Sequence, residues 1–250
     1  MADNRRVLIV IPARMQSARL PGKPLADIGG VPMIVHVMER AKTANVGPVI
    51  IACAETEITD IVRAAGGTAI LTDPELPSGT DRVRVAADIF DPEGKYKCIV
   101  NVQGDLPTLD PTIVANAVDV LFRAQECDIA TLVVPTHDPR EMADPNVVKA
   151  VLSLDDANTG RALYFTRAQA PTGPGPVYHH IGIYAYRRAA LDRFCELPPS
   201  PLEKRERLEQ LRALEAGMRI DAAIVSSAPE GVDTPEDLAR ARLQIMGEGQ

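Results

Sequence analysis

The chain has 250 residues, 46% of them hydrophobic, enough to bury a sizeable core in one large α/β domain that could carry a smaller insertion. A formal net charge of −7 argues against a dedicated nucleic-acid binder, which needs a basic stripe, so any anionic ligand must meet a local basic cluster. No apolar run has membrane-helix length, the first one stops at Pro12 and is too short for a signal peptide, and the scattered Cys53, Cys98, Cys127 and Cys195 form no zinc pattern and suit reduced thiols in a cytoplasm.

In chain order, residues 7–11 read as a buried strand and 33–44 as a helix, with Pro32 suited to its first turn. A strand follows over 49–52, then a helix over 56–65 that Gly66 and Gly67 stop. The pattern continues with a strand at 68–71, a helix at 82–89, a central strand at 99–102, a helix over 111–123 and a strand at 129–134. Between about 135 and 186 the pattern changes to short β-like pieces, at 147–152, 163–166 and 178–186, separated by turns. A long charged helix is predicted over 201–216, then a strand near 219–225, a last helix over 235–245 and a frayed tail after Gly247.

This alternation predicts an α/β fold: parallel strands covered by helices, with ligands beyond the strands' carboxyl ends. The chain reads as one domain over 1–250, with an antiparallel insertion or sheet extension over about 135–186.

After the first strand comes Pro12-Ala13-Arg14-Met15-Gln16-Ser17-Ala18-Arg19-Leu20-Pro21-Gly22-Lys23-Pro24, which places Arg14, Arg19 and Lys23 within ten residues at the ligand-binding edge. Such a cluster in an acidic protein suggests a polyphosphate site; the bland alternative is a solvated basic loop. A P-loop is excluded, because Ser17 stands where its first glycine belongs and Pro24 where its Ser or Thr belongs. No G-x-G-x-x-G dinucleotide fingerprint follows the strand either.

In Ser78-Gly79-Thr80-Asp81-Arg82, Gly79 allows close backbone approach and the hydroxyls offer small partners, yet Thr80 could equally cap a helix from Asp81 onward. Asn101-Val102-Gln103-Gly104-Asp105-Leu106-Pro107 ends the central strand, where Asp105 is placed to hold a magnesium ion and Gln103 to touch a nucleotide, although an aspartate there could simply form a turn. In Gly231-Val232-Asp233-Thr234-Pro235-Glu236-Asp237, Thr234 suits a helix N-cap and only Asp233 is left for chemistry. His36 and His179 read as structural.

Over 7–242, the string P-A-R-x-x-S-x-R-L-P-G-K-P with S-G-T-D-R, Q-G-D and G-V-D-T-P-E-D resembles the CMP-sugar synthetases, most closely the 3-deoxy-manno-octulosonate (KDO) cytidylyltransferases. The resemblance implies a three-layer α/β/α Rossmann-like nucleotide-diphospho-sugar transferase fold, with a mainly parallel mixed sheet, and a homodimer using the 135–186 region. It implies transfer of CMP from CTP to the anomeric hydroxyl of KDO for lipopolysaccharide synthesis, with Arg14, Lys23, Asp105 and Asp233 as the catalytic set. By the same resemblance Arg14 and Lys23 contact the triphosphate, Ala13 approaches the nucleotide through its backbone, and Ser17 and Arg19 support the loop. Ser78, Gly79, Thr80 and Arg82 lie beside the cytosine and ribose, and Mg²⁺ is held by Asp105 and Asp233. Arg167, His180, Tyr184, Glu209 and Gln210 align with the sugar-binding set, the arginine fork suiting the sugar carboxylate.

Leu106 departs from the usual Q-G-D-E-P and removes a carboxylate there. The competing readings are a cytidylyltransferase for sialic acid or an amino-KDO analogue, a non-catalytic nucleotide-binding relative, and a glycosyltransferase using a preformed sugar nucleotide, for which a D-x-D motif is lacking.

Overall fold

The computed structural model describes residues 5–17, 19–155 and 158–247, so the tail expected to fray lies outside them. The chain forms two compact units, Met1–Ala115 with Pro229–Gln250, and Asn116–Ala228.

The first unit contains β1 (Val7–Ala13), β2 (Asp27–Ile28), β3 (Val31–Pro32), α1 (Met33–Thr43), β4 (Val49–Cys53), α2 (Thr56–Ala64), β5 (Thr68–Leu71), α3 (Gly79–Phe90) and β6 (Cys98–Asn101). Along α4 (Pro111–Arg123) the chain passes into the second unit. There follow β7 (Ile129–Thr136), α5 (Pro139–Ala143), β8 (Lys149–Leu154), β9 (Thr159–Thr166), β10 (Val177–Arg187), α6 (Arg188–Glu196), α7 (Pro201–Glu206), α8 (Leu211–Glu215) and β11 (Ile220–Ile224). The last helix, α9 (Pro235–Gly247), returns to the first unit.

In the first unit β5, β4, β1 and β6 lie side by side and all parallel. Every residue of β4 and β6 is buried, as are Val7 to Ile11 of β1, so both faces of this sheet are covered. That is why these strands read as unbroken apolar runs and not as alternating ones. In the second unit β7 pairs parallel with β11, while β10, β9 and β8 join antiparallel. The predicted α/β class and its antiparallel stretch are therefore what forms, the stretch over 135–186 lying inside the second unit.

One helix expectation needs correction. The stretch 201–216 is not one helix: Arg207 adopts φ 58, ψ 46, which ends α7, and α8 starts at Leu211. The break is stabilised across itself, because Arg212 Nε donates to Glu203 Oε2 at 2.9 Å and Nη2 to Oε1 at 2.5 Å. In a continuous helix residues nine apart are about half a turn out of phase and could not meet. A capping box at Ser200 and Glu203 starts α7. The helix predicted from 82 begins at Gly79 instead, because Ser78, not Thr80, is its cap: the Asp81 N–H donates to Ser78 Oγ at 3.1 Å. Short elements that the periodicity does not predict are β2, β3, α5 and α6.

Candidate active site

At the carboxyl end of β1 the basic loop is drawn into a closed turn. Gly22 sits at φ 70, a left-handed conformation that glycine takes without strain, and starts a single 3-10 turn, Lys23–Leu25. Its N–H donates to the Met15 carbonyl at 3.2 Å, and the Met15 N–H donates to the Glu55 carboxylate at 3.1 and 3.2 Å. Glu55 was invisible to the sequence reading, since its position beside Thr56 signals only a helix start.

Two further segments are pinned beside this turn. Gly104 lies so close to β1 that a Cβ there would stand 2.7 Å from the Pro12 carbonyl oxygen. The Val232 N–H donates to the Asp105 carbonyl at 2.9 Å, which sets Asp233 next to Asp105. The Asp237 carboxylate accepts from the Asp233 and Thr234 N–H groups at 3.0 and 2.9 Å, and the Asp237 N–H donates to Thr234 Oγ1 at 3.2 Å, so the predicted Thr234 cap is present. Beneath, Ile28, Met33, Val232, Leu238 and Ala241 form one buried apolar cluster that anchors α9 to the β2–α1 region. Gly104→Ala is expected to lower stability by about 1–3 kcal/mol through overpacking against backbone. An unchanged midpoint in thermal unfolding would show that the close approach is not required.

The two carboxylates meet on one cation. Lys23 Nζ lies 2.6 Å from Asp105 Oδ2 and 3.0 Å from Asp233 Oδ1, and Arg19 Nη2 lies 2.9 Å from Asp233 Oδ2. Burial by itself would lower the Lys23 pKa, but the attraction and hydrogen bonds of the two aspartates outweigh it and raise the pKa above the usual lysine value. The ammonium therefore stays charged and serves as the resident counter-ion of the pair.

Beside Lys23 and Asp105 opens a cavity of ≈ 360 Å³, whose wall includes Ala13, Arg14, Gln16, Ser17, Lys23, Ser78, Gly79, Arg82, Gln103 and Asp105 but not Asp233. Of the expected nucleotide contacts, only Arg19 and Thr80 are not on that wall. Arg19 turns to Asp233, and Thr80 is buried in the first turn of α3. Arg82 is 2% exposed and donates to Thr72 Oγ1 at 2.5 Å and to the Asp73 and Pro74 carbonyls at 3.0 and 3.3 Å. It thus fastens the segment after β5 while adding positive charge to the wall. Gln16 is a wall residue that the motif reading passed over. Leu106 is buried, consistent with a purely apolar role at that position. His36 Nε2 lies 2.9 Å from the Ile28 carbonyl, a structural contact as expected.

In the second unit, His180, Tyr184 and Glu209 come together. His180 stacks edge-on to Phe165 with centroids 4.9 Å apart and lies 5.4 Å from the Tyr184 ring. Its Nε2 is 3.0 Å from Thr131 Oγ1, which also lies 3.1 and 2.9 Å from the Ile181 and Ile183 carbonyls. The hydroxyl has a single proton for these three neighbours, and the imidazole tautomer sets whether Nε2 donates or accepts. Burial lowers the His180 pKa to about 3, so the ring is neutral. Burial also raises the Tyr184 pKa, with the Glu209 charge adding to it, so the phenol keeps its proton. Arg212 Nη2 lies 3.8 Å from Glu209 Oε1, and Gln210 is buried immediately before α8. Arg167 is tied to the 206–207 segment that leads to this cluster: Nε donates to the Glu206 carbonyl at 2.9 Å and Nη2 to the Arg207 carbonyl at 3.4 Å.

Comparison with known proteins shows what the chain is similar to. A cytidylyltransferase family model matches residues 8–220. A 3-deoxy-manno-octulosonate cytidylyltransferase of Rhodospirillum rubrum is 60% identical over 239 residues, covering 95% of this chain and 95% of its own length. One from Parvibaculum lavamentivorans is 62% identical over 238 residues, covering 95% of this chain and 92% of its own. Among solved structures, a CMP:2-keto-3-deoxy-manno-octonic acid synthetase complexed with CTP superposes with a TM-score of 0.89 at 38% identity, over 97% of this chain and 99% of that one.

Proposed function

We propose, because this chain belongs to the 3-deoxy-manno-octulosonate cytidylyltransferase family, that it transfers CMP from CTP to the anomeric hydroxyl of 3-deoxy-D-manno-octulosonate for lipopolysaccharide synthesis. The observation that carries the reading is the meeting of Asp105 and Asp233 over Lys23, beside a cavity walled by Arg14, Lys23, Arg82 and Asp105. Such a wall suits a triphosphate, whose charge the three cations offset in part. In the reaction the anomeric oxygen bonds to the α-phosphorus, the bond from that phosphorus to the α,β-bridging oxygen breaks, and pyrophosphate leaves. The hydroxyl proton passes to water. The protein's share is positioning and electrostatic stabilisation.

Magnesium fits this donor set. Two hard carboxylates from separate segments converge on one point, and Mg²⁺ commonly takes one or two carboxylates and completes its shell with water and substrate phosphate. Among the described residues no group of three or more His, Cys, Asp or Glu could hold a metal by itself, so substrate oxygens would be needed. When bound, the metal would be held by Asp105 and Asp233 and would neutralise charge on the phosphate oxygens. Lys23 must then share or leave the carboxylates, and phosphate oxygens are the natural new partner for its ammonium.

The same reading places the protein in a reducing cytoplasm. In support, Cys53 and Cys127 are buried thiols whose pKa values burial raises to about 11 and about 12, and no helix of the described residues is long and apolar enough to cross a membrane. It also includes a homodimer using the 135–186 region, where Leu154 and Leu163 are exposed.

Pyrophosphate release, followed with CTP and a panel of acidic sugars, tests the reading. Turnover is expected with CTP and 3-deoxy-D-manno-octulosonate. Faster turnover of a sialic acid or an amino-substituted analogue would reassign the acceptor, and no release with any sugar would make the chain a binding relative only.

A further inference from the structure

We infer that Lys149 and Glu206 are positioning residues for acceptor binding, holding Arg167 from its two main-chain sides so that its guanidinium meets the sugar carboxylate in one orientation. The inference rests on the reading of Arg167 as the carboxylate-binding residue of the acceptor site.

Lys149 opens β8 and is 0% exposed, although a lysine ordinarily extends its ammonium to water. Its Nζ donates to the carbonyls of Asp144 at 2.6 Å, Val147 at 2.8 Å and Arg167 at 2.8 Å. An ammonium has three N–H donors, so none remains for a ligand and the residue acts through what it holds. Burial lowers its pKa from the usual lysine value, with Asp144 opposing the shift and the Arg167 charge adding to it. A buried charge solvated by backbone carbonyls is a costly cross-link when a neutral donor could serve. What the charge adds is positive potential one hydrogen bond from the Arg167 main chain, where an anion is to be held.

The opposite side is held by Glu206, the last residue of α7. The Arg167 N–H donates to Glu206 Oε2 at 3.0 Å, while Oε1 accepts from Thr166 Oγ1 at 3.0 Å. The guanidinium is oriented in turn, since Nε donates to the Glu206 carbonyl, Nη1 to the Pro145 carbonyl at 2.9 Å and Nη2 to the Arg207 carbonyl. Three of its five N–H groups are thereby spent on orientation, leaving one on each terminal nitrogen for a carboxylate. Lys149 enters twice, because the 144–147 turn that it grips also supplies the Pro145 carbonyl.

The test is steady-state kinetics of Lys149→Met, Glu206→Gln and Arg167→Ala, with thermal unfolding of each. For the first two, the acceptor KM should rise by about tenfold or more, while the CTP KM and kcat stay within about threefold. Lys149→Met added to Arg167→Ala should cost no further acceptor affinity, since the two act through one contact. A purely structural role would lower the unfolding midpoint and leave the acceptor KM alone, which overturns the inference provided that Arg167→Ala raises it. If Arg167→Ala itself leaves the acceptor KM unchanged, the acceptor reading fails and takes the inference with it. Should Lys149→Met not fold, Glu206→Gln decides, because Glu206 is only half-buried.

Discussion

Asp105→Asn is expected to lower kcat by at least about 100-fold, a loss of about 2.7 kcal/mol of transition-state stabilisation. The substitution keeps the shape and removes the charge. Its carboxylate is held where β6 ends by the tight Gly104 approach and by the Val232 N–H, so little else should move. A metal clamp on phosphate oxygens is worth several kcal/mol, which makes the expected loss a lower bound. Asp233→Asn should act in the same direction, and the double variant should be little worse than the single ones, because both groups serve one cation. The measurement is kcat at saturating CTP, acceptor and Mg²⁺. A near-normal value for Asp105→Asn would remove the residue from the catalytic set.

Lys23→Met should reduce kcat/KM for CTP by about 100-fold and lower the thermal midpoint of the ligand-free protein as well. The first effect follows from losing a cation at the triphosphate. The second follows from the geometry without ligand. Lys23 is 17% exposed and bridges both aspartates, so its removal takes the shared cation from between the two carboxylates and leaves Asp233 with Arg19 alone. Added Mg²⁺ should therefore raise the midpoint of the variant more than that of the unsubstituted protein, where Lys23 already occupies the position. If the variant kept its kcat/KM for CTP and its midpoint did not respond to Mg²⁺, the counter-ion role would be wrong.

Much of the frame was readable from local pattern. The buried strands 7–11 and 49–52, the short strand 68–71 and the helices 56–65 and 111–123 announced themselves because apolar period and Gly or Pro punctuation act within a few residues. The helix break at Arg207 did not, since the 201–216 stretch carries helical composition throughout and the force that divides it, the Arg212–Glu203 pair, exists only after the turn has formed. By composition Thr80 was an acceptable cap, but the structure uses Ser78, whose Oγ accepts from the Asp81 N–H.

By itself, the sequence determined which chemistry is available: a cationic loop at a strand end, an aspartate at the tip of a central strand, and a second aspartate ahead of a capped helix. Only the tertiary structure decided that Lys23, 82 and 210 residues from its two partners, would stand between those aspartates, and that a buried lysine would grip the main chain of Arg167. The physical reason is range. Backbone preference and hydrophobic period act over a turn or a strand, whereas an ion pair between distant segments depends on how the packed core and a few close backbone approaches bring their ends together.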